Sequence, residues 1–188
     1  MNFDCTKSKY CAFFCEENIW QLANEFVMAG RVEQRFVLFF LCADSSGSCF
    51  AIKNQYAFGG KLFGFWDYHV VLFDSQDQLI YDLDSSLGCP RSTDLYFSQT
   101  FPSQDSLVPE VRTVVRSVPL EEYHRRFSSD RSHMIDAAGK ALEPFPTWPT
   151  IIGEDPIWLK QYLSLVGIDG SQSELLGVEE FARAAATH

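Results

Sequence analysis

The chain has 188 residues, of which 46% are hydrophobic, including 17 phenylalanines and 4 tryptophans. This length and apolar content exclude a disordered chain and predict one domain with a substantial hydrophobic core. The formal net charge of -10 argues against a general binder of nucleic acid or anionic membranes, because such a protein needs a basic face, but it permits a cationic ligand.

Six cysteines occur in the chain, at positions 5, 11, 15, 42, 49 and 89. The first residues lack a basic segment followed by an apolar one, so no signal peptide is predicted, and we expect reduced thiols without a disulfide framework. The sequence has no CxxC pair, so a zinc site has little support, and we expect neither a metal nor another cofactor. No apolar run approaches ~18 residues, so no membrane span is predicted.

The first predicted helix begins at Cys15. Apolar side chains follow at helical spacing, at Ile19, Leu22, Ala23, Phe26 and Val27. Cys15 lies four residues before Ile19, so its side chain faces the protein body at a helix N-terminus, where free N–H groups favour an anion and lower a thiol pKa. Taken alone, such a cysteine is more often a small core residue.

Strands are predicted next. The apolar run 35–42 predicts a central strand, residues 44–48 a polar turn, and residues 49–52 a short strand. Two segments rich in aromatic and β-branched residues, 66–73 and 79–84, flank a polar cluster. That pattern predicts an antiparallel hairpin.

The register of this hairpin predicts a histidine–carboxylate pair. A loop centred on residues 75 and 76 places Phe73 opposite Gln78, Val71 opposite Ile80, and His69 opposite Asp82. Opposed Cβ atoms lie roughly 4.5–5.5 Å apart, so the His69 imidazole and the Asp82 carboxylate can form a hydrogen bond. A histidine oriented by a carboxylate is part of a nucleophilic catalytic device, and Cys15 would supply the nucleophile. Each residue alone also has an ordinary structural explanation.

The remaining chain predicts shorter elements. These are an irregular segment at 91–110, a strand at 111–118, a helix at 119–127, an irregular proline-rich segment at 143–149, and helices around 158–165 and 178–186. The polar loop 128–134 is either a surface loop or a wall of a substrate site. A helix that carries Cys, followed by strands that carry His and Asp, predicts an α+β fold. We expect one catalytic domain over residues 1–188, with helices packed on an antiparallel sheet, by analogy with papain and transglutaminases.

Four sequence blocks carry a resemblance to a known family. They are Cys15-Glu16-Glu17-Asn18-Ile19-Trp20, Trp66-Asp67-Tyr68-His69-Val70, Tyr81-Asp82-Leu83-Asp84 and Ser129-Asp130-Arg131-Ser132-His133-Met134. In content and order, these blocks resemble the protein N-terminal glutamine amidohydrolases. The resemblance implies a Cys-His-Asp enzyme of the transglutaminase-like α+β type, with Cys15 as nucleophile, His69 as base and Asp82 as its orienting group.

The resemblance also implies the reaction and its setting. Such an enzyme converts an N-terminal Gln of a protein to Glu with release of ammonia, and the product can be arginylated and read as a degradation signal. The implied partners are proteins or peptides with a free N-terminal Gln, without nucleic acid or membrane. The implied state is a monomer in the cytoplasm, with the nucleus as a second location.

Recognition of a terminal residue requires a group that binds its α-ammonium. The predicted register places Asp67 opposite Asp84, and like charges in that position need a counter-charge. A nearby basic residue such as Arg131 could supply it, or Asp67 could help to hold the substrate ammonium. Further candidate substrate contacts are Glu17, Asp84, Ser129 and Asp130.

Three alternatives remain open at this stage. The same triad could serve a transglutaminase-like acyl transferase or a thiol protease, since all of these form a thioester. A non-catalytic module could bind N-terminal residues, although such a module needs no nucleophile. In the third alternative, Cys15 is an inert core residue.

Overall fold

The computed structural model describes residues 3–44, 49–168 and 175–186. The helices are α1 (Cys15–Met28), α2 (Thr93–Thr100), α3 (Leu120–Arg126), α4 (Leu159–Tyr162) and α5 (Val178–Ala185). The strands are β1 (Arg35–Cys42), β2 (Phe50–Lys53), β3 (Phe63–Trp66), β4 (Tyr68–Asp74), β5 (Leu79–Tyr81), β6 (Arg91–Ser92), β7 (Thr113–Pro119), β8 (Phe127–Ser128), β9 (Ile157–Trp158) and β10 (Leu176–Gly177). Apart from Asp44, the turn predicted at 44–48 lies outside the described residues.

The main sheet is built around β1. Six strands pair antiparallel in the order β10-β7-β1-β4-β5-β6. Seven of the eight residues of β1 are buried, because neighbouring elements cover both faces of the strand. The predicted central strand at 35–42 and the predicted α+β fold with helices on an antiparallel sheet are confirmed.

Helices cover both faces of this sheet. On one face, Ile19 and Phe26 of α1 belong to the same buried cluster as Phe39 of β1. On the other face, Phe97 of α2 meets Phe40 of β1 edge to face, with ring centroids 6.1 Å apart. The helix predicted from Cys15 is confirmed, and its apolar stripe is the surface that packs on the sheet. The N-terminus of α1 is thereby fixed beside β4.

The predicted hairpin is present, but its register and its first strand were wrong. Asp74 is opposite Leu79 and Phe73 is opposite Ile80, two residues away from the predicted pairing. The loop lies one residue further along the chain than expected, at 75–78, where Gln78 adopts a left-handed conformation with φ 53° and the Asp74 carboxylate accepts a hydrogen bond from the backbone N–H of Asp77. A shift of two residues keeps every side chain on its predicted face.

The segment 66–73 is also divided between two sheets. Trp66 ends β3, which pairs with β2, whereas β4 begins at Tyr68. Asp67 lies between these strands and is exposed. The pairing of β4 with β5 extends only to Leu72 and Tyr81, so the predicted opposition of Asp67 and Asp84 was wrong.

Two further expectations were corrected. The segment 91–110 is not wholly irregular, since it contains α2, which forms around the buried side chains of Tyr96 and Phe97 and lacks a regular apolar stripe. Cys5 and Cys89 form a disulfide, where reduced thiols were expected.

Among the residues described, no helix combines the length and apolar character that a membrane span requires.

Candidate active site

The predicted catalytic histidine and aspartate are in contact. His69 Nε2 lies 3.0 Å from Asp82 Oδ1, and both side chains are 1% exposed. Asp82 follows the last residue of β5, and a turn after that strand brings it back towards β4. Because the register shift preserved parity, the contact predicted from the hairpin exists although the two residues are not directly opposed.

The Asp82 carboxylate is held by several donors. Its Oδ2 accepts hydrogen bonds from the hydroxyl of Tyr96 at 2.8 Å and from Gln55 Nε2 at 3.2 Å, while Oδ1 accepts one from the backbone N–H of Asp84. Burial opposes ionisation of Asp82, but His69 and these donors outweigh burial and lower the pKa of the carboxyl. Asp82 is therefore a fixed anion beside the imidazole.

His69 is held on its ring faces as well. It lies parallel to Trp66 and Phe40, with ring centroids 6.1 and 6.5 Å away. Burial alone would lower the pKa of His69, but the charge and hydrogen bond of Asp82 raise it above the ordinary value. Since Nε2 faces Asp82, Nδ1 is the nitrogen left for proton exchange with another group.

Cys15 is the first residue of α1, as predicted, and is buried with 9% of its surface exposed. Its sulfur accepts a hydrogen bond from the backbone of Val70, the residue that follows His69 in β4. Burial and the neighbouring Glu16 carboxylate raise the pKa of this thiol well above its usual range, so the predicted lowering by the helix N-terminus was wrong. The thiol therefore needs a proton acceptor before it can act as a nucleophile.

Asp84 lies beside the His69–Asp82 pair. Its Oδ1 accepts a 2.6 Å hydrogen bond from the hydroxyl of Tyr10, and only 7% of the residue is exposed. Burial raises the pKa of this carboxyl, and His69 acts in the opposite direction. His69, Asp82 and Asp84 each offer an atom within 4.8 Å of the others, which is the spacing of a possible metal site. That no metal is used stays a prediction.

Glu17 faces Arg131. Arg131 Nε donates a 2.8 Å hydrogen bond to Oε1 of Glu17, and Arg131 Nη2 donates one of the same length to Oε2. Trp148 Nε1 donates another to Oε2 at 2.7 Å. Both ends of the ion pair are buried. Arg131 is thus the partner of Glu17 and not the counter-charge of Asp67 and Asp84, as one interpretation of the sequence held.

The other predicted substrate contacts lie on nearby loops. The Asp67 carboxylate accepts a hydrogen bond from the backbone N–H of Tyr68 and is otherwise exposed. Ser129 is buried and Asp130 is exposed. Both residues line a cavity of about 220 Å³ together with His133. Their roles as substrate contacts stay predictions.

Glu16 is a residue of this site that sequence reasoning missed. It is fully buried beside Cys15, with its Oε2 at 3.7 Å from the sulfur. The hydroxyl of Tyr68 donates a 3.0 Å hydrogen bond to the same oxygen, and His133 Nε2 lies 3.5 Å from Oε1. In the sequence, a glutamate in the first turn of a helix indicates only a favourable interaction with the helix dipole, and glutamate is rarely buried completely.

Comparison with known proteins identifies the class of this protein. It is an amidase, an enzyme that hydrolyses amides. A family model described as N-terminal glutamine amidase matches residues 10–181. The chain therefore belongs to the N-terminal glutamine amidase family, which confirms the resemblance that the four sequence blocks carry.

Individual relatives bear the same name. The protein N-terminal glutamine amidohydrolase of Homo sapiens is 33% identical over 162 residues, which cover 83% of this chain and 78% of the relative. That of Danio rerio is 34% identical over 148 residues, covering 76% and 71%. That of Drosophila mojavensis is 33% identical over 153 residues, covering 79% and 73%.

Proposed function

We propose that this chain hydrolyses the side-chain amide of an N-terminal Gln of proteins or peptides, giving Glu and ammonia through a Cys15-His69-Asp82 triad. The observation that carries the proposal is the buried 3.0 Å contact between His69 and Asp82, with the Cys15 sulfur at the backbone of the next residue of β4. The names of the relatives supply the substrate class.

The first half of the reaction forms a thioester. Cys15 gives its proton to Nδ1 of His69, and the thiolate attacks the side-chain amide carbon. Free N–H groups at the start of α1 would stabilise the oxyanion, each worth about 3 kcal/mol. The imidazolium, stabilised by Asp82, then protonates the nitrogen, the carbon–nitrogen bond breaks, and ammonia departs.

The second half of the reaction regenerates the thiol. Neutral His69 takes a proton from water, which attacks the thioester carbon. The carbon–sulfur bond breaks, the sulfur recovers a proton from His69, and Glu is released. The buried Asp82 keeps the imidazole in the same orientation through both halves.

The pH dependence of kcat/KM follows from two pKa shifts. Reaction requires Cys15 and His69 together to have lost one proton but not two. Asp82 makes His69 hold its proton to higher pH, so the rate should rise with pH to a midpoint above 6.5. It should fall again at alkaline pH, first at about pH 8 as the substrate α-ammonium loses its proton, and then above 9.0, because burial and Glu16 keep the thiol protonated until there. Initial rates across pH test this, and a rising limb centred at or below 6.5 would contradict it.

Asp67 is the exposed carboxylate that we propose for the substrate α-ammonium. One of its oxygens binds a backbone N–H of its own loop, and the carboxylate stays open to solvent. Asp67→Asn should raise KM for a Gln-starting peptide about tenfold, as expected for the loss of a charged hydrogen bond, with little change in kcat or melting temperature. Steady-state kinetics would show this, and an unchanged KM would remove Asp67 from the ammonium site.

We also propose the wider setting that the family suggests. The product would feed the arginine branch of N-end-rule degradation, and residues 1–188 would act as one catalytic domain. We propose a monomer that works in the cytoplasm, with the nucleus as a second location. The net charge of -10 supports the absence of a nucleic-acid partner.

One set of peptides tests the proposed reaction. The protein is incubated with a peptide that starts with Gln, an N-acetylated copy, one that starts with Asn, and one with internal Gln, while ammonia release and the amide-to-acid mass change are followed. We expect turnover of the free Gln peptide alone, abolished in Cys15→Ala.

Other outcomes would favour the alternatives. Transfer from internal Gln to an amine would indicate a transglutaminase-like enzyme, and backbone cleavage would indicate a protease. Binding of the free N-terminus without turnover would indicate a recognition module. Slow alkylation of Cys15 by iodoacetamide at neutral pH, together with no turnover, would indicate an inert core cysteine.

A further inference from the structure

Glu16 is an unusual residue to find buried beside a nucleophile. Its side chain has no exposed surface, and among the described residues the close contact of its Oε1 is His133 Nε2 at 3.5 Å, a distance that is long for a hydrogen bond. Burying a carboxylate costs free energy, and a contact of this length offsets that cost only in part. Burial and then Glu16 also raise the pKa of Cys15, which works against thiolate formation. The buried Glu16 carboxylate thus opposes both the stability of the fold and the ionisation of Cys15, which indicates that it has a functional role.

We infer that Glu16 binds the side-chain nitrogen of the substrate amide and so determines that the enzyme acts on an amide and releases the acid. The inference rests on the proposed function of the Cys15 site. Glu16 is here a specificity-determining residue, whereas proton transfer to the leaving nitrogen is done by His69.

Distances favour the amide nitrogen as the group that Glu16 contacts. A carbon about to be attacked lies about 3–3.5 Å from the sulfur, and the amide nitrogen is one bond of about 1.33 Å from that carbon. Oε2 of Glu16 lies 3.7 Å from the Cys15 sulfur and is therefore within reach of that nitrogen. The α-ammonium of Gln is four bonds from the attacked carbon, so it is the less suitable partner for Glu16.

The direction of the amide group supports the same assignment. When the carbonyl oxygen faces the N–H donors at the start of α1, the NH₂ group points away and its two hydrogens need acceptors. An ionised carboxylate only accepts hydrogen bonds, and Oε2 of Glu16 can accept one from the amide once the Cys15 thiol, which donates to it at 3.7 Å, has given up its proton. The product Glu would place a carboxylate against Glu16, and this repulsion favours product release.

Tyr68 and His133 hold the carboxylate in this position. The Tyr68 hydroxyl lies 3.0 Å from Oε2 and 3.2 Å from His133 Nε2, and His133 lies 3.5 Å from Oε1. Burial opposes protonation of His133, but Glu16 raises its pKa above the ordinary value. The two neighbours come from β4 and from the loop after β8, so three separate parts of the chain meet at this carboxylate.

The test compares two leaving groups on one peptide. One peptide starts with Gln and the other with the γ-methyl ester of Glu, whose leaving oxygen carries no hydrogen. Wild-type protein should hydrolyse both. Glu16→Gln should lower kcat/KM for the amide about 10- to 100-fold, the loss of one charged hydrogen bond, and change the ester rate far less. Tyr68→Phe removes one donor that holds the carboxylate but keeps its charge, so it should lower the amide rate by a smaller factor than Glu16→Gln.

A measurement on the wild-type protein covers the case in which Glu16→Gln does not fold. A peptide that starts with Glu should inhibit ester hydrolysis at least about tenfold more weakly than one that starts with Met, a neutral side chain of similar length. Equal inhibition by the two peptides would overturn the inference, as would equal losses on amide and ester in Glu16→Gln. Wild-type protein that hydrolyses neither peptide would overturn the proposed function and this inference with it.

Discussion

Asp82→Asn should lower kcat/KM for a Gln-starting peptide about 10³- to 10⁴-fold without unfolding the protein. The Asp82 carboxylate lies 3.0 Å from His69 Nε2, in a site where both side chains are buried. A neutral amide there stabilises the imidazolium poorly and can present either a donor or an acceptor to the ring, so the favoured tautomer changes. Because Asp82 raises the pKa of His69, the substitution should also move the acid limb of the pH profile to lower pH.

Tyr96→Phe is the matched control for that substitution. It removes the 2.8 Å hydrogen bond to Asp82 Oδ2 but leaves the charge beside His69. We expect a loss of less than about tenfold, because this bond is present in the free enzyme and in the transition state alike and the charge of Asp82 remains. Steady-state kinetics of both variants measure the loss of kcat/KM, and their melting temperatures show whether the fold is intact. If Asp82→Asn keeps its activity within about tenfold of wild type, the His69–Asp82 pair has no part in the reaction.

The parts of this site that were predictable from sequence depend on periodicity and parity. The apolar spacing after Cys15 located α1, and alternation in two strands put His69 and Asp82 on one face. The position of the loop was misjudged by one residue, because a left-handed Gln78 leaves no mark in an alternating pattern. His69 and Asp82 still lie on the predicted face, because the register shifted by two residues. A shift of one residue would have put them on opposite faces.

The unpredicted parts depend on contacts between distant residues. Nothing in the first turn of α1 distinguishes Glu16, which faces Cys15 and Tyr68, from Glu17, which faces Arg131, because burial is decided by what packs over the helix. Arg131 is 114 residues away from Glu17 in the chain. The raised pKa of Cys15 has the same origin, since the helix N-terminus favours a thiolate but burial and Glu16 oppose it more strongly.

The Glu17–Arg131 pair gives the largest expected effect on stability. Arg131→Ala would leave Glu17 buried with the Trp148 indole as its one side-chain donor among the described residues. Removing one partner of a buried ion pair typically costs about 3–5 kcal/mol, because the other charge stays out of water. For a chain of this size that corresponds to a fall in melting temperature of about 10 °C. Arg131 also ties the loop after β8 to α1, so activity should fall with stability.

Two comparisons separate loss of the charge pair from loss of packing. Arg126→Ala breaks a pair with Asp155, whose side chain is 81% exposed, and should cost less than about 1 kcal/mol. The double variant Glu17→Gln with Arg131→Met removes both charges, keeps an acceptor for Trp148, and should recover much of the lost stability. Denaturant titrations of the variants measure these differences. A cost for Arg131→Ala no greater than that for Arg126→Ala would show that the buried pair does not hold the loop on α1.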